Sequence, residues 1–302
     1  MKELVIVGSG PAALSAAIYA ARDGVDTTVY EKTNFGGQVA TIDQIDNFPG
    51  FPEGISGVEL SRRMREQAER FGAKLEYGEV TKLAVGGDKK TLTVDGEKVE
   101  TKAVLLATGW TYNKLGVPGE DEYKGKGVHY CATCDGAFYE GKKIAVVGGA
   151  NSAVQEAVFL TRFAAGPVEI FARSQVRAEK ILQEKLQDYV AKGEITVHEQ
   201  AVTEEIVGEN GHVTGLKVNG EVVPVDGVFI FAGIHPASEF LKDSGVELDK
   251  FGYIQADDSL QTSLPGVFLA GDIRAGSTKQ VVAAAGEGAT AARAINRYLM
   301  SN

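Results

Sequence analysis

The apolar positions of this chain follow one pattern twice. Leu4 to Val7 is a short unbroken apolar run, as expected of a parallel strand buried on both faces. It stops at Gly8-Ser9-Gly10-Pro11-Ala12-Ala13, after which Leu14 to Arg22 has the length and small-residue content of a helix. Thr27 to Tyr30 is a second strand, closed by Glu31. The programme restarts with a strand at Lys143–Val147, a turn at Gly148–Ala153, a helix from Val154 to Phe163 and a strand at Val168–Phe171. An internal duplication of a strand–turn–helix–strand unit is the simplest account.

The intervening segments complete two sheets. Phe35–Val39 and Asp46–Phe51 are too rich in Gly and Pro for a helix and are predicted as loops. A helix is predicted from Ser56 to Phe71, then strand-like pieces from Lys74 to Val99 with a hairpin near Asp95-Gly96. Val104–Ala107 is a buried strand that ends at Thr108-Gly109, and Gly116–Glu120 reads as a linker. In the second half Glu179–Lys192 is helical, and strand-like pieces run from Ile195 to Val225 with a turn at Gly208–Gly211. Val228–Gly233 is a buried strand. Segments 249–255 and 267–272 read as returns to the first domain, and a closing helix runs from Gln280 to Leu299. The predicted fold is α/β, with two Rossmann-like parallel-sheet domains, the second inserted in the first. The boundaries are 1–115 with 245–302 around 116–244.

The two turns suggest what the sheets carry. In the first, Gly8 permits the tight turn, Gly10 lets the backbone approach a pyrophosphate and Ala13 lets helix and strand pack closely. Glu31 ends the next strand, where an acid accepts hydrogen bonds from an adenosine ribose. Strand, loop, helix, strand and terminal acid together form a dinucleotide fingerprint, whereas the glycines alone would mark only a tight turn.

Composition narrows the surroundings. With 302 residues, 44% hydrophobic and 24% charged, the chain suits two domains with ordinary globular cores. No apolar run is long enough to span a membrane, and Met1-Lys2-Glu3-Leu4 enters a strand at once, so no signal peptide is expected. A net charge of −10 argues against nucleic acid as a partner. Cytoplasmic placement is expected, because two cysteines in so long a chain fit a reducing compartment.

Those two cysteines sit in Cys131-Ala132-Thr133-Cys134-Asp135-Gly136. Sulfurs two residues apart can close a disulfide at a helix start, where one thiolate is stabilised, and Asp135 stands where a departing thiolate would collect a proton. A structural zinc site lacks a second ligand pair, since His129, His198, His212 and His235 have no ligand spacing; no metal is expected. A static disulfide across so short a loop would add little stability, and two idle thiols are the remaining bland reading. His129 and Trp110 are expected to be packing residues, although His129 lies near enough to tune a thiolate and Trp110 near enough to meet a cofactor.

Taken together, Gly8–Ala13, Gly36-Gly37-Gln38, Asn47-Phe48-Pro49-Gly50, Ala107-Thr108-Gly109, Cys131–Gly136 and Ala270-Gly271-Asp272 with Gln280 resemble the low-molecular-weight thioredoxin reductases over nearly the whole chain. The resemblance implies FAD in the first domain, held by Gly8, Ser9, Gly10, Pro11, Ala12, Glu31, Lys32, Gly36, Gly37, Gln38, Asn47, Val80, Thr108, Gly109, Gly271, Asp272, Lys279, Gln280 and Val281. It implies a homodimer and a Cys131/Cys134 pair that cycles between disulfide and dithiol. Cys134 would be the charge-transfer thiolate beside the flavin, Cys131 the nucleophile toward the disulfide of thioredoxin or a thioredoxin-like protein, and Asp135 the acid/base. One domain rotates against the other in that family, so that the pair meets flavin and client in turn.

The second turn departs from the family. Ala150 stands where the family has glycine, and its Cβ would crowd a pyrophosphate. The family's His-Arg-Arg-x-x-x-Arg becomes Phe171-Ala172-Arg173-Ser174-Gln175-Val176-Arg177, one residue shorter. The NADPH candidates are Gly148, Asn151, Ser152, Ala153, Arg173 and Arg177; the two arginines equally suit a solvated basic turn. The donor is therefore NADPH or a reduced ferredoxin-type carrier, as in some members of the family, with the two losses favouring the carrier. The rival functions are an FAD-dependent oxidase of small dithiols and a non-enzymatic redox sensor.

Overall fold

The computed structural model describes residues 1–42, 44–87 and 89–301. Along the chain, β1 (Lys2–Val7), α1 (Pro11–Arg22), β2 (Thr27–Glu31), α2 (Gly57–Arg70), β3 (Lys74–Tyr77), β4 (Val80–Gly86), β5 (Lys89–Val94), β6 (Glu97–Leu106) and β7 (Trp110–Tyr112) come first. They are followed by β8 (Val128–His129), α3 (Ala132–Asp135), β9 (Ile144–Val147), α4 (Asn151–Leu160), β10 (Val168–Phe171), α5 (Lys180–Ala191), β11 (Ile195–His198), β12 (Thr203–Glu209), β13 (His212–Val218), β14 (Glu221–Val223) and β15 (Gly227–Ile230). The chain closes with β16 (Ile234–Pro236), β17 (Val267–Leu269) and α6 (Val281–Ser301).

Two compact units result, Met1–Thr111 with His235–Asn302, and Tyr112–Ile234. In the first, strands run in the order β3-β2-β1-β6-β5-β4, and β17 lies parallel to the C-terminal half of β6. The β3, β2, β1 and β6 pairings are parallel, while β4 and β5 are antiparallel. Alternation along β1 explains the layers. Leu4 and Ile6 face a cluster with Ala13, Ala17, Ala291 and Ile295 of α1 and α6; Val5 and Val7 face another with Leu83, Leu92 and Ile254. The alanines let α1 and α6 approach closely. A Cβ on Gly288 of α6 would overlap the carbonyl oxygen of Ala12 in α1.

The second unit repeats the plan. Its parallel sheet has the order β11-β10-β9-β15-β8, with a separate antiparallel sheet β12-β13-β14. Ile144 and Val146 pack with Ala153, Ala157 and Leu160 of α4, whereas Ala145 and Val147 pack with Ile206, Val213 and Leu216.

Both junctions fall earlier in the chain than 115/116 and 244/245. Gly116–Glu120 is no linker: the buried Glu120 carboxylate accepts from the Leu115 and Gly116 N–H groups at 2.9 and 2.7 Å and from Tyr130 Oη at 2.5 Å. At the other junction Leu241 joins the first unit's core beside Val246 and Ile254. Gly37–Thr41, expected as loop, is a 3-10 helix, a tight form that short glycine-containing segments tolerate.

Candidate active site

In the first unit β1 delivers the chain to the start of α1. Gly8 is required by the fold itself, because its φ is +96° and a Cβ would lie 2.5 Å from the Ala107 oxygen. Gly10 is different. Its φ of −67° and ψ of −179° suit any residue, and a Cβ there would meet nothing within 4 Å. The missing Cβ therefore serves space outside the protein's own packing, at the N-terminus of a 12-residue helix that has no side-chain cap and begins with Pro11. Free N–H groups and the positive helix end suit a pyrophosphate, so this cradle fits FAD.

Around that cradle the fold assembles residues remote in sequence. Ser9 Oγ donates to Glu31 Oε2 at 2.7 Å and accepts from the Gly36 N–H at 3.1 Å. Glu31 Oε1 takes the Thr33 N–H at 2.9 Å, so the buried carboxylate is already well satisfied. An open polar cleft beside it is lined by Lys32, Thr33, Tyr77, Gly78, Glu79 and Asp95, with Val80 following at the start of β4. It lies where the strand order of a doubly wound sheet places an adenosine.

A second cluster sits near the start of α6. Asn47 Nδ2 donates to Gln280 Oε1 at 3.0 Å, and Val281, the first residue of α6, packs on Val39, Ile45 and Leu60. Asp272 accepts from Trp110 Nε1 at 3.0 Å and Ser277 Oγ at 3.2 Å. Burial nonetheless raises its pKa above the ordinary 3.8, since desolvation outweighs those two donors. Gln38 Nε2 reaches the Trp110 carbonyl at 3.4 Å, Thr108 Oγ1 donates to the Ala237 carbonyl, and Gly109 O accepts from the Ala237 N–H. The Gly271 N–H is held by Glu287 at 2.8 Å, while Lys279 Nζ donates to Tyr253 Oη at 2.7 Å. Gly37 follows Gly36 into the 3-10 helix, and Ala12 is buried against α6. Trp110 gives its indole N–H to Asp272. Ser277 and Glu287 carried no sequence signal, because each acts on a residue brought near only by the return of the chain.

In the second unit Cys131 and Cys134 are joined by a disulfide, with Cα atoms 5.4 Å apart. Cys131 is the residue preceding α3, and its Sγ accepts the Cys134 N–H at 3.2 Å. Cys134 is exposed and Cys131 half-buried. Asp135 follows, its carboxylate 2.9 Å from Nδ1 of His129. His129 is buried, with 8% exposure, and its Nε2 lies 2.7 Å from the hydroxyl of Tyr139.

The second glycine turn is engaged by its own chain. Ala150 precedes α4 with extended backbone, so alanine carries no torsional penalty there. Asn151 Nδ2 donates to Glu179 Oε1 at 3.0 Å and its Oδ1 accepts the Glu179 N–H at 2.8 Å, tying the first residue of α4 to an acid. The Arg177 N–H donates to Gly149 O at 2.6 Å, laying the 172–177 loop along Gly148-Gly149, and the Arg173 and Arg177 side chains are exposed. Ser152 and Ala153 continue α4, the latter fully buried. Among the described residues no three His, Cys, Asp or Glu side chains group as metal ligands, and no helix is long and apolar enough to cross a membrane.

A nucleotide cradle in one Rossmann-like unit and a dithiol pair in the other define a flavin-dependent disulfide reductase. The family model of pyridine nucleotide-disulphide oxidoreductases matches residues 2–288. A thioredoxin reductase of Listeria monocytogenes is 40% identical over 98% of this chain and 93% of its own length. One of Bacillus subtilis is 40% identical over 98% and 94%. The crystal structure of Lactococcus lactis thioredoxin reductase superposes with a TM-score of 0.91 at 38% identity, covering 100% of both chains. The chain thus belongs to the pyridine nucleotide-disulphide oxidoreductase family and, within it, to the thioredoxin reductases.

Proposed function

We propose that this enzyme reduces thioredoxin or a thioredoxin-like protein by cycling Cys131 and Cys134 between disulfide and dithiol. The Cys131–Cys134 disulfide, with Asp135 directly after it, is the observation that carries the reading. Bound FAD supplies a two-electron carrier that restores the dithiol. Gly10 and the start of α1 would hold its pyrophosphate, Glu31 and the cleft at Lys32 the adenosine, and Asp272 with the Asn47–Gln280 cluster the flavin end. Cys131 is the nucleophile toward the client, because the Cys134 N–H stabilises its thiolate. Asp135 returns a proton to the departing client sulfur. Phe138, 72% exposed four residues after Cys134, offers a protein client an apolar contact beside the pair.

The electrons come from a reduced ferredoxin-type carrier rather than from NADPH. Three features support this. Ala150 narrows the approach to the turn, the family's His and paired Arg are missing from residues 171–177, and Glu179 holds a carboxylate at the first residue of α4, where a phosphate would need to bind.

Anaerobic bleaching of the FAD-loaded enzyme with NADPH, NADH and reduced ferredoxin in parallel tests the donor. Rapid bleaching by ferredoxin alone is expected, and rapid bleaching by micromolar NADPH would overturn that assignment. Cys134→Ser should abolish thioredoxin reduction while the protein stays yellow; retained turnover would refute the dithiol cycle.

A further inference from the structure

The disulfide pair is followed by an acid that does not stand alone. His129, at the end of β8, places Nδ1 2.9 Å from Asp135 Oδ2 and Nε2 2.7 Å from the Tyr139 hydroxyl. The ring stacks on Phe229 of β15 at 5.2 Å and meets Tyr139 edge-on at the same centroid distance. A histidine with 8% exposure, wedged between two rings and bonded at both nitrogens, cannot turn away from the carboxylate.

We propose that His129 is a positioning residue of the exchange reaction: it fixes the Asp135 carboxylate and shares its proton, so that an Asp135–His129 pair, not a lone carboxylate, meets the departing client sulfur. The proposal rests on the disulfide-exchange function argued above. Tyr139 makes the sharing workable in both protonation states. With His129 neutral, Nδ1–H donates to Asp135 and the tyrosine O–H donates to Nε2; with His129 protonated, both ring N–H groups donate and the tyrosine oxygen accepts. Burial, Asp135 and Asp226 push the Tyr139 pKa up to about 12, which keeps its O–H intact throughout. The charged groups around the relay are Asp135 on one side, Asp226 toward Tyr139, and the Lys142 ammonium 5.4 Å from the Tyr139 ring centre.

The step balances as follows. The Cys131 thiolate attacks one client sulfur, forming a Cys131–client bond as the client S–S bond breaks, and the released client thiolate takes the proton held by the pair. Cys134 then attacks Cys131, its proton passing to the pair and on to the second client thiolate. Two electrons and two protons leave the dithiol, and the client gains both.

The test is single-turnover oxidation of the dithiothreitol-reduced, FAD-loaded enzyme between about pH 5 and 9, with two disulfides. Oxidised thioredoxin releases alkyl thiolates that need a proton, whereas 5,5′-dithiobis(2-nitrobenzoate) releases an acidic aryl thiolate that needs none. For His129→Asn, whose amide can still donate to Asp135 but cannot hold a second proton, the thioredoxin rate should fall about tenfold relative to the aryl disulfide rate at pH 7. The pH dependence of the thioredoxin rate should change as well, while that of the aryl disulfide rate should not. Tyr139→Phe should change the same ratio less. Equal loss with both disulfides, or an unchanged profile, would show that His129 only packs. A wild-type enzyme that reacts with neither disulfide would instead sink the exchange function itself.

Discussion

Asp272 shows how a single buried carboxylate can cost stability. Burial raises its pKa above 3.8, so over the window above that value the folded chain holds a proton that the unfolded chain has lost. Stability therefore declines as pH rises through the window, and the penalty is complete once Asp272 is ionised. Asp272→Asn should raise the Tm of the flavin-free protein, with the gain growing as pH rises above the ordinary carboxylate value. A gain independent of pH would contradict this account. Gly10 makes the complementary case, since its Cβ position is open to the limits of the fold. Gly10→Ala should leave the unfolding free energy of the flavin-free protein within about 1 kcal/mol of wild type while weakening FAD binding by tenfold or more, read by flavin fluorescence. The cysteines, Asp135 and Gly10 are visible in sequence because motif spacing marks them. The bonds of His129 to Asp135 and Tyr139 are not, because they belong to a shared side-chain network rather than to local spacing.

Elements were easiest to foresee where burial imposes one period. The β1–α1–β2 and β9–α4–β10 units follow directly from apolar runs interrupted by glycine turns. Gly116–Glu120 has the Gly-Val-Pro-Gly composition of a linker, yet Glu120 uses its carboxylate to cap the loop from within. The α1–α6 contact is likewise invisible locally, yet it sets how tightly the fingerprint helix is held. Gly288→Ala should destabilise the protein by about 1–3 kcal/mol, because the added methyl overlaps the Ala12 carbonyl; chemical denaturation measures it. The same change at Gly286, where a Cβ meets nothing, should be neutral or slightly stabilising.

At the level of the whole molecule, the cofactor cradle and the dithiol belong to different compact units. Every contact named for the FAD cradle is made within the first. The double variant Cys131→Ser with Cys134→Ser should therefore bind FAD as wild type does and lose all disulfide exchange. Loss of flavin from that variant would show that the dithiol supports the cradle. What the chain's order of residues determines alone is the alternation of buried strands and helices, the two glycine turns and the Cys-x-x-Cys, since each depends on neighbours a few positions apart. Tertiary structure decided which distant groups meet: Asn47 with Gln280, Trp110 with Asp272, and Asn151 with Glu179. Those pairings depend on how sheets and helices pack in three dimensions, and no local periodicity encodes them.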